Sequence, residues 1–499
     1  MKILFVRPPR YRWPFHSKNS SFWQPLGFAS MAAVLRENIN VDVKIIDCPI
    51  EEIGWKSVKA NLLRENPDVL CIGEETVSSH EAIKLINLAK LLIPEIKIIC
   101  GGVHFTHMVE DSLLNHPIDF IVRFEGEYTL LELIKELMNP NPNFKKIKGI
   151  AYLENKKIIK TPLRELIPDL NKLPMPAYDL LQMELYGKNS WNHKNLVAIE
   201  HGRGCTSKCN FCVLWKQFGK VSNNKPTPFY RTKSAEKTFQ EVLHLYEKYK
   251  RKTFCWVDPT WNLDSKWNLE FSKKIIEAGI DINQSAWMRA DCIVRDEQND
   301  TFKYQVKADL KQAMIGIERT NNNELRYLDK HIYSFDAIKK SFEIIREYPS
   351  VLSIATYIYG IPDETNESLR RFYDYLDKIP FDVGVPIPLT PHLGSKYFEE
   401  YKELIEVKKF KYYNFLNPIS RSNYLSRNQL LFYMLLNELR IRTKKEQFAK
   451  KNYERRNNAT ASLAKTKAAL TYQFLRYILM DVVSNKIMNF NIKPEWYDG

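Results

Sequence analysis

Short, near-continuous apolar runs alternate with amphipathic stretches twice along this chain, and few folds admit that pattern. In residues 1–140 the runs are KILFVR, VDVKIIDC, VLCIGEE, KIICGG and FIVRFEGE. Between them, PLGFASMAAVLREN, HEAIKLINLAKLLI and TLLELIKELM carry apolar residues at helical spacing. Strands that are apolar on both faces and separated by helices belong in a parallel sheet covered on both sides. Residues 1–140 are therefore expected to form an α/β, doubly wound, Rossmann-like domain with five parallel strands. Ligands of such sheets lie at the carboxyl ends of the strands.

Those ends fall at Glu74–Ser79, Gly101–His104 and Phe124–Glu127, where the turns are rich in glycine and polar residues. Gly101 and Gly102 would let a backbone approach a ligand closely. The dinucleotide fingerprint G-x-G-x-x-G is missing after the first strand, which ends in Arg7-Pro8-Pro9. Another large, flat ligand fits better, or a sheet that only positions the next domain.

Residues 141–194 contain NPNPNF and LIPDLNKLPMPAYDLL, a proline-rich stretch expected to be a linker. A second alternation fills residues 195–395. Its strands read LVAIEHGRG, TFCWVDPT, QSAWMRAD, QAMIGIER, SIATYIYGIP and VGVPIPLTP. Six β–α units imply a parallel (β/α)6 barrel, whole or partial, with its chemistry at the carboxyl ends. Residues 396–499 show no further strands. QLLFYMLLNELRIR and AALTYQFLRYILMDVVSNKIM read as amphipathic helices of a C-terminal extension.

The formal net charge is +15, but no Lys/Arg block is long and acidic residues are mixed in throughout. That is a solvated surface and gives no reason to expect nucleic acid. The start, MKILFVRPPRYRWPF, is too short and too broken for a signal peptide, and no apolar run is long enough to span a membrane. The expected location is the cytoplasm. There the eight cysteines would not form a disulfide framework. Cys48, Cys71, Cys100, Cys255 and Cys292 sit in or beside apolar runs, as small buried hydrophobes do.

The other three cysteines are clustered in HGRGCTSKCNFCVLW. Cys205, Cys209 and Cys212 can present three thiolates to one centre, and soft thiolates select iron–sulfur clusters, zinc or copper(I). Structural zinc wants a fourth Cys or His at similar spacing, and none follows. Three ligands and one open position suit a four-iron cluster.

This Cys-x3-Cys-x2-Cys loop after the first barrel strand, with Phe211 before the last Cys, resembles the radical S-adenosylmethionine (SAM) enzymes. The resemblance extends further. PLGFASMAAVLR, IICGGVHFT and FIVRFEGE look like the cobalamin-binding domain that precedes many of these barrels. LNKLPMPAYDLL, YGIPDET and LTPHLGS resemble other stretches of the same cobalamin-dependent subfamily, which includes methylases and the anaerobic magnesium-protoporphyrin monomethyl ester cyclase group.

The resemblance implies a [4Fe-4S] cluster on Cys205, Cys209 and Cys212, with SAM on the open iron. SAM would be contacted by Phe211, Asp258, Arg289, Asp291 and Glu318. It implies cobalamin at Glu75, Thr76, Ser78, Gly101, Gly102, His104, Glu125, Gly126 and Glu127. The Asp-x-His-x-x-Gly motif that supplies a lower histidine ligand elsewhere is absent. Asp329-Lys330-His331 lacks the Gly and lies in the barrel, so no histidine lower ligand is expected.

The implied chemistry is reductive cleavage of SAM to a 5′-deoxyadenosyl radical. Its most frequent use in the subfamily is C-methylation of an unactivated carbon of a small molecule or natural product. A one-electron reductant such as flavodoxin or ferredoxin would serve as partner. The alternative with the same cofactors is oxidation or cyclisation of a tetrapyrrole. A methylthiotransferase would use three N-terminal cysteines, but no Cys lies near the chain start. A non-enzymatic corrinoid carrier would have no use for the Cys loop.

Overall fold

A computed structural model describes residues 1–10, 23–188, 195–330, 334–415, 418–453 and 495–499. Two compact units emerge. The first comprises the described parts of Met1–Ser190, Leu214–Thr232 and Asn489–Gly499; the second those of Trp191–Val213 and Lys233–Met488.

The first unit is built on strands β1 (Lys2–Arg7), β2 (Asp42–Asp47), β3 (Val69–Gly73), β4 (Lys97–Gly101), β5 (Phe120–Val122), β6 (Ile150–Glu154) and β7 (Lys157–Lys160). They form one sheet in the order β2-β1-β3-β4-β5-β6-β7. β1 to β5 are parallel, as expected from their two-sided apolar character. Their residues, with helices Leu26–Asn38, Trp55–Glu65 and Ser79–Leu92, supply most of the core. The chain winds to one side of β1 through β2 and to the other through β3. The switch point, where a doubly wound sheet opens a crevice, is therefore the carboxyl end of β1 and β3.

The five expected parallel strands are joined by two more, so the sheet has seven. β6 and β7 extend it antiparallel from β5, inside the stretch expected to be a linker. Their turn, Asn155-Lys156, has φ 49° and 62° at its two central residues, the positive pair a tight type I′ hairpin requires. KIIK is too short and too charged to stand out as a strand, and it lies on the sheet's edge, where lysines are tolerated.

Residues 495–499 close the core of this unit. Tyr497 is buried, meets Trp55 edge-on at 6.2 Å, and belongs to the apolar cluster around β1, β3 and β4. Lys84 Nζ lies 4.0 Å from the Trp55 ring centroid. Ser57 donates its N–H to the Gly499 carbonyl at 3.1 Å, at the start of the Trp55–Glu65 helix. Gly54 leaves room for the segment: a Cβ there would stand 1.9 Å from the Trp496 carbonyl oxygen.

After β8 (Leu196–Ile199) and the short β9 (Gly202–Cys205) comes a stretch of the first unit with β10 (Lys220–Ser222), β11 (Lys225–Thr227) and β12 (Phe229–Thr232). The second unit then continues through β13 (Thr253–Trp256), β14 (Asn283–Met288), β15 (Leu310–Glu318), β16 (Leu352–Tyr359) and β17 (Val383–Pro388). Its six-stranded sheet runs β17-β16-β15-β14-β13-β8, parallel throughout and in chain order, a partial barrel with β8 and β17 at its edges. The helices between strands start on side-chain caps: Ser234, Asp264 and Ser334 accept backbone N–H groups, and Thr365 forms a capping box with Ser368.

Two of the barrel's sequence motifs prove to be partners. Arg319 of GIER is fully buried and donates to both oxygens of Glu364 of GIPDET at 2.8 and 3.0 Å. Glu364 also accepts from the Gly360 N–H at 3.1 Å and the Ser368 hydroxyl at 2.8 Å. Ends of neighbouring strands β15 and β16 are thereby locked together.

The C-terminal extension contains helix Arg427–Tyr453, which packs on helix Asn366–Leu376. Its buried Glu438 accepts from the Tyr357 hydroxyl of β16, and Arg440 pairs with Asp374 at 2.7 Å. The second expected tail helix lies outside the described residues. Among the described residues, no helix is long and apolar enough to cross a membrane.

Candidate active site

In the second unit the chain leaves β8 and enters the three-cysteine loop, with Gly204 at φ +91° one residue before Cys205. The loop is tied down by main-chain groups. Asn210 donates its backbone N–H to the Leu328 carbonyl at 3.1 Å and its side-chain amide to Tyr327 at 2.8 Å. The Asn210 carbonyl accepts from Tyr397 at 3.0 Å. Phe211 packs against the apolar group of Leu328, Ile358, Leu389 and Tyr397, so it anchors the loop between the last two cysteines.

Cys205 and Cys212 are partly exposed, while Cys209 is buried. The Cys205 sulfur accepts the Ser207 N–H at 3.4 Å and lies 3.9 Å from the Thr260 hydroxyl. Burial pushes the Cys209 thiol up to about 12, with Lys330 opposing the shift. A thiolate there needs a cation to compensate it, as an iron centre does. Among the described residues no three His, Cys, Asp or Glu side chains converge on a single metal ion.

The SAM candidates fall around this loop in different ways. Arg289 closes β14, pairs with Asp291, and donates to the Thr206 hydroxyl at 2.9 Å, beside Cys205. Its backbone is zipped to Asn262 by two bonds of 2.8 and 3.1 Å. Glu318 ends β15 at φ +58° and pairs with Lys330, which also donates to the Gly316 carbonyl at 3.1 Å. The structure thus brings Cys205, Thr206, Arg289 and Asp291 together, and Glu318 and Lys330 toward Cys209. Asp258 is turned inward, with only 1% of its surface exposed. One of its oxygens accepts the backbone N–H groups of His201, at 3.2 Å, and Gly202.

In the first unit, the crevice at the ends of β1 and β3 is spanned by Arg10, which donates to Glu74 at 2.8 Å and to the Ser78 hydroxyl at 3.0 Å. Glu74 is buried, its carboxyl held above the usual range by that burial, and its second oxygen has no hydrogen-bond partner. Thr76 and Ser78 are buried in a single helical turn, and Glu75 is exposed. At the end of β1, Arg7 pairs with Asp47 at 3.0 Å, which also accepts from Tyr186 at 2.7 Å.

The glycines serve the protein's own backbone. Gly102 has φ +82°, and a Cβ on it would meet the Glu74 amide nitrogen and carbonyl oxygen at 3.0 Å. A Cβ on Gly101 would meet the Val122 carbonyl at 3.2 Å, and one on Gly126 the Met31 sulfur at 2.7 Å. His104 is buried, and burial lowers it to about 4. Glu125 is buried against Arg231 and accepts the Ile167 N–H at 2.9 Å; Glu127 accepts from Ser30 at 3.1 Å. These last two brace the first unit internally. His331 lies outside the described residues.

Arg10, His201 and Lys330 were not singled out in the sequence, and Glu74 only as the first residue of a strand end. Each is brought to its place by a turn between elements, and spacing along the chain gives no sign of that. All five scattered cysteines are buried, and burial pushes the Cys255 and Cys292 thiols up to about 12.

The B12 binding domain family model matches residues 17–134, and the Radical SAM superfamily model matches residues 199–376. The chain is 28% identical over 441 residues to an uncharacterized methyltransferase, PH0819, of Pyrococcus horikoshii, covering 86% of this chain and 90% of that one. It is 26% identical to the anaerobic magnesium-protoporphyrin IX monomethyl ester cyclase of Rubrivivax gelatinosus, over 88% of this chain and 77% of the cyclase. Among solved structures, the cobalamin-dependent SAM radical enzyme OxsB shares the fold, with a TM-score of 0.64 at 17% identity, over 89% of this chain and 61% of OxsB. With a B12-binding domain at one end and a three-cysteine loop leading a radical SAM domain behind it, the chain belongs to the cobalamin-dependent radical SAM enzymes.

Proposed function

We propose that this enzyme transfers a methyl group from SAM to an unactivated carbon of a small molecule, with a [4Fe-4S] cluster and cobalamin as cofactors. The carrying observation is the loop of Cys205, Cys209 and Cys212 at the carboxyl edge of a parallel partial barrel, in one chain with a doubly wound sheet. When bound, the cluster supplies the electron that cleaves SAM, and cobalamin supplies a methyl carrier.

The protein's own groups then have definable tasks. The three cysteines hold the cluster. Arg289 and Asp291, paired beside Thr206, offer a donor and an acceptor to the polar parts of SAM. Glu318, held by Lys330, offers a carboxylate near Cys209. Phe211 and Asp258 fix the loop from behind, and reach SAM only through it.

In the first unit, the orphaned Glu74 oxygen and the Thr76 and Ser78 hydroxyls form a polar rim at the switch point, suited to the amide-bearing edge of a corrin. Exposed Glu75 lies on the same rim, whereas Gly101 and Gly102 shape the floor, and Gly126 with Glu127 closes the far side. Cobalamin bound there would have no histidine below the cobalt. A cytoplasmic flavodoxin- or ferredoxin-like reductant completes the scheme.

Oxidation or cyclisation of a tetrapyrrole is the second reading, favoured by the similarity to the Rubrivivax cyclase. The test is anaerobic. Protein loaded with cluster and cobalamin is incubated with SAM and a one-electron reductant, and both 5′-deoxyadenosine and S-adenosylhomocysteine are measured. Methyl transfer predicts both products, with S-adenosylhomocysteine strictly dependent on cobalamin. Formation of 5′-deoxyadenosine alone would overturn methylation and leave the cyclase reading.

A further inference from the structure

His201 lies four residues ahead of Cys205, between β8 and the cysteine loop, and has no exposed surface. Its imidazole Nδ1 stands 2.8 Å from Asp258 Oδ1, the oxygen that also takes the backbone N–H groups of His201 and Gly202. The ring is stacked on Trp267, centroids 3.9 Å apart and planes 28° from parallel. The edge of Trp256 closes it from another side at 5.5 Å. The His201 carbonyl accepts the Lys233 N–H at 2.7 Å, and the Lys233 carbonyl accepts the Trp267 indole N–H at 2.8 Å. The ring's stacking partner therefore also holds the residue that holds its backbone.

We propose that His201 is a positioning residue of the cysteine loop: clamped by Asp258 and wedged against Trp267, it fixes the backbone that delivers Cys205. The proposal rests on reading the three cysteines as cluster ligands. Its logic is that both ends of this arm of the loop refer to one rigid segment. Asp258 grips the base of the arm. Thr260, two residues further along the same β13 turn, stands 3.9 Å from the Cys205 sulfur. The turn is itself anchored to β14 by the Trp261 N–H on the Trp287 carbonyl at 2.8 Å. A thiolate held this way keeps its place whether or not iron is bound. Groups that orient a metal ligand from behind typically change metal affinity or activity by about 10–100-fold when removed.

A histidine that merely fills the core would do so by its ring, and the two roles separate by substitution. His201→Phe keeps a ring in the tryptophan slot and loses the Asp258 contact. His201→Asn loses the ring and keeps a polar group that can reach Asp258. The full chain is reconstituted anaerobically. Iron per chain, the electron paramagnetic resonance of the reduced cluster, KM for SAM and the melting temperature of the iron-free protein are measured.

A positioning role predicts that His201→Phe melts within a few degrees of wild type yet has an altered cluster spectrum and SAM cleavage lower by about 10–100-fold. His201→Asn should recover most of both. Asp258→Asn, which exchanges the carboxylate opposite the imidazole for an amide of nearly the same shape, should reproduce the altered spectrum. A His201→Phe protein with wild-type spectrum and turnover overturns the proposal, as does an Asp258→Asn protein with a wild-type spectrum. Absence of iron in wild type would instead overturn the cluster reading itself.

Discussion

Replacing Gly102 with alanine tests the ligand end of the first unit. The residue follows β4 with φ +82°, where an L side chain is strained by about 1–2 kcal/mol. The added methyl would also stand 3.0 Å from two backbone atoms of Glu74. Those atoms cannot swing away as a side-chain end could. The Glu74 N–H donates to the Gly101 carbonyl at 3.4 Å, and its carbonyl accepts the His104 N–H at 3.3 Å. Forcing them apart is overpacking, worth about 1–3 kcal/mol. The sum is about 2–5 kcal/mol for Gly102→Ala, and more for Gly102→Val, whose β-branching adds atoms at the same place. Because Glu74 carries the Arg10 and Ser78 contacts across the β1/β3 crevice, the displacement should weaken cobalamin binding as well as stability. Thermal unfolding and a spectroscopic cobalamin titration would read the two effects. Iron content should stay at the wild-type value, since the cysteine loop belongs to the other unit. A Gly102→Ala protein with wild-type melting temperature and cobalamin affinity would refute the reasoning.

The other predictions are briefer. Alanine at Cys205, Cys209 or Cys212 should each abolish SAM cleavage, read as 5′-deoxyadenosine formed, and lower the iron bound from about four per chain, whereas Cys48→Ser, Cys71→Ala and Cys100→Ala should keep wild-type iron by elemental analysis. Glu364→Ala leaves the fully buried Arg319 without its main partner and should destabilise the second unit by about 3–5 kcal/mol, seen as an earlier thermal transition; wild-type stability would mean the pair contributes nothing. His104 and His107 are both lowered by burial to about 4 in the folded chain. Between the unfolded value near 6.5 and that folded value the unfolded chain binds more protons, so stability falls as pH drops from 7 to 5, by about 2 kcal/mol per histidine. His107→Gln should make that fall shallower, and an unchanged pH profile would show that His107 takes up protons in the folded protein.

Much of this architecture could be read in the sequence because its signals are periodic. The parallel strands are apolar on both faces, the helices between them are amphipathic, and each run in the barrel reading corresponds to a strand in the six-stranded sheet. The cysteine loop was legible because its ligands are contiguous. What escaped is what depends on distant residues meeting. β6 and β7 owe their place to an edge offered by β5. The YGIPDET stretch stands out by its resemblance, but nothing along the chain says that Glu364 is the buried partner of Arg319. Gly102 drew attention as a ligand floor, while the atoms it makes room for are those of Glu74. The inward turn of Asp258 toward His201 is invisible to any spacing rule, because the two follow different strands of the barrel, β13 and β8, and lie far apart in the chain.

The docking of Tyr497 against Trp55 has a consequence for how the polypeptide matures. Domains emerging from the ribosome ordinarily fold in order of synthesis, the N-terminal one first. Here the first unit also takes in Leu214–Thr232 and residues 495–499, so its core is finished only after the whole barrel has been translated. Until then Trp55, the notch at Gly54 and the apolar flank around them stay uncovered. A nascent chain, or one lacking residues 495–499, would carry that surface exposed, a target for chaperones and proteases, with the Ser57 N–H at the helix start left without the Gly499 carbonyl.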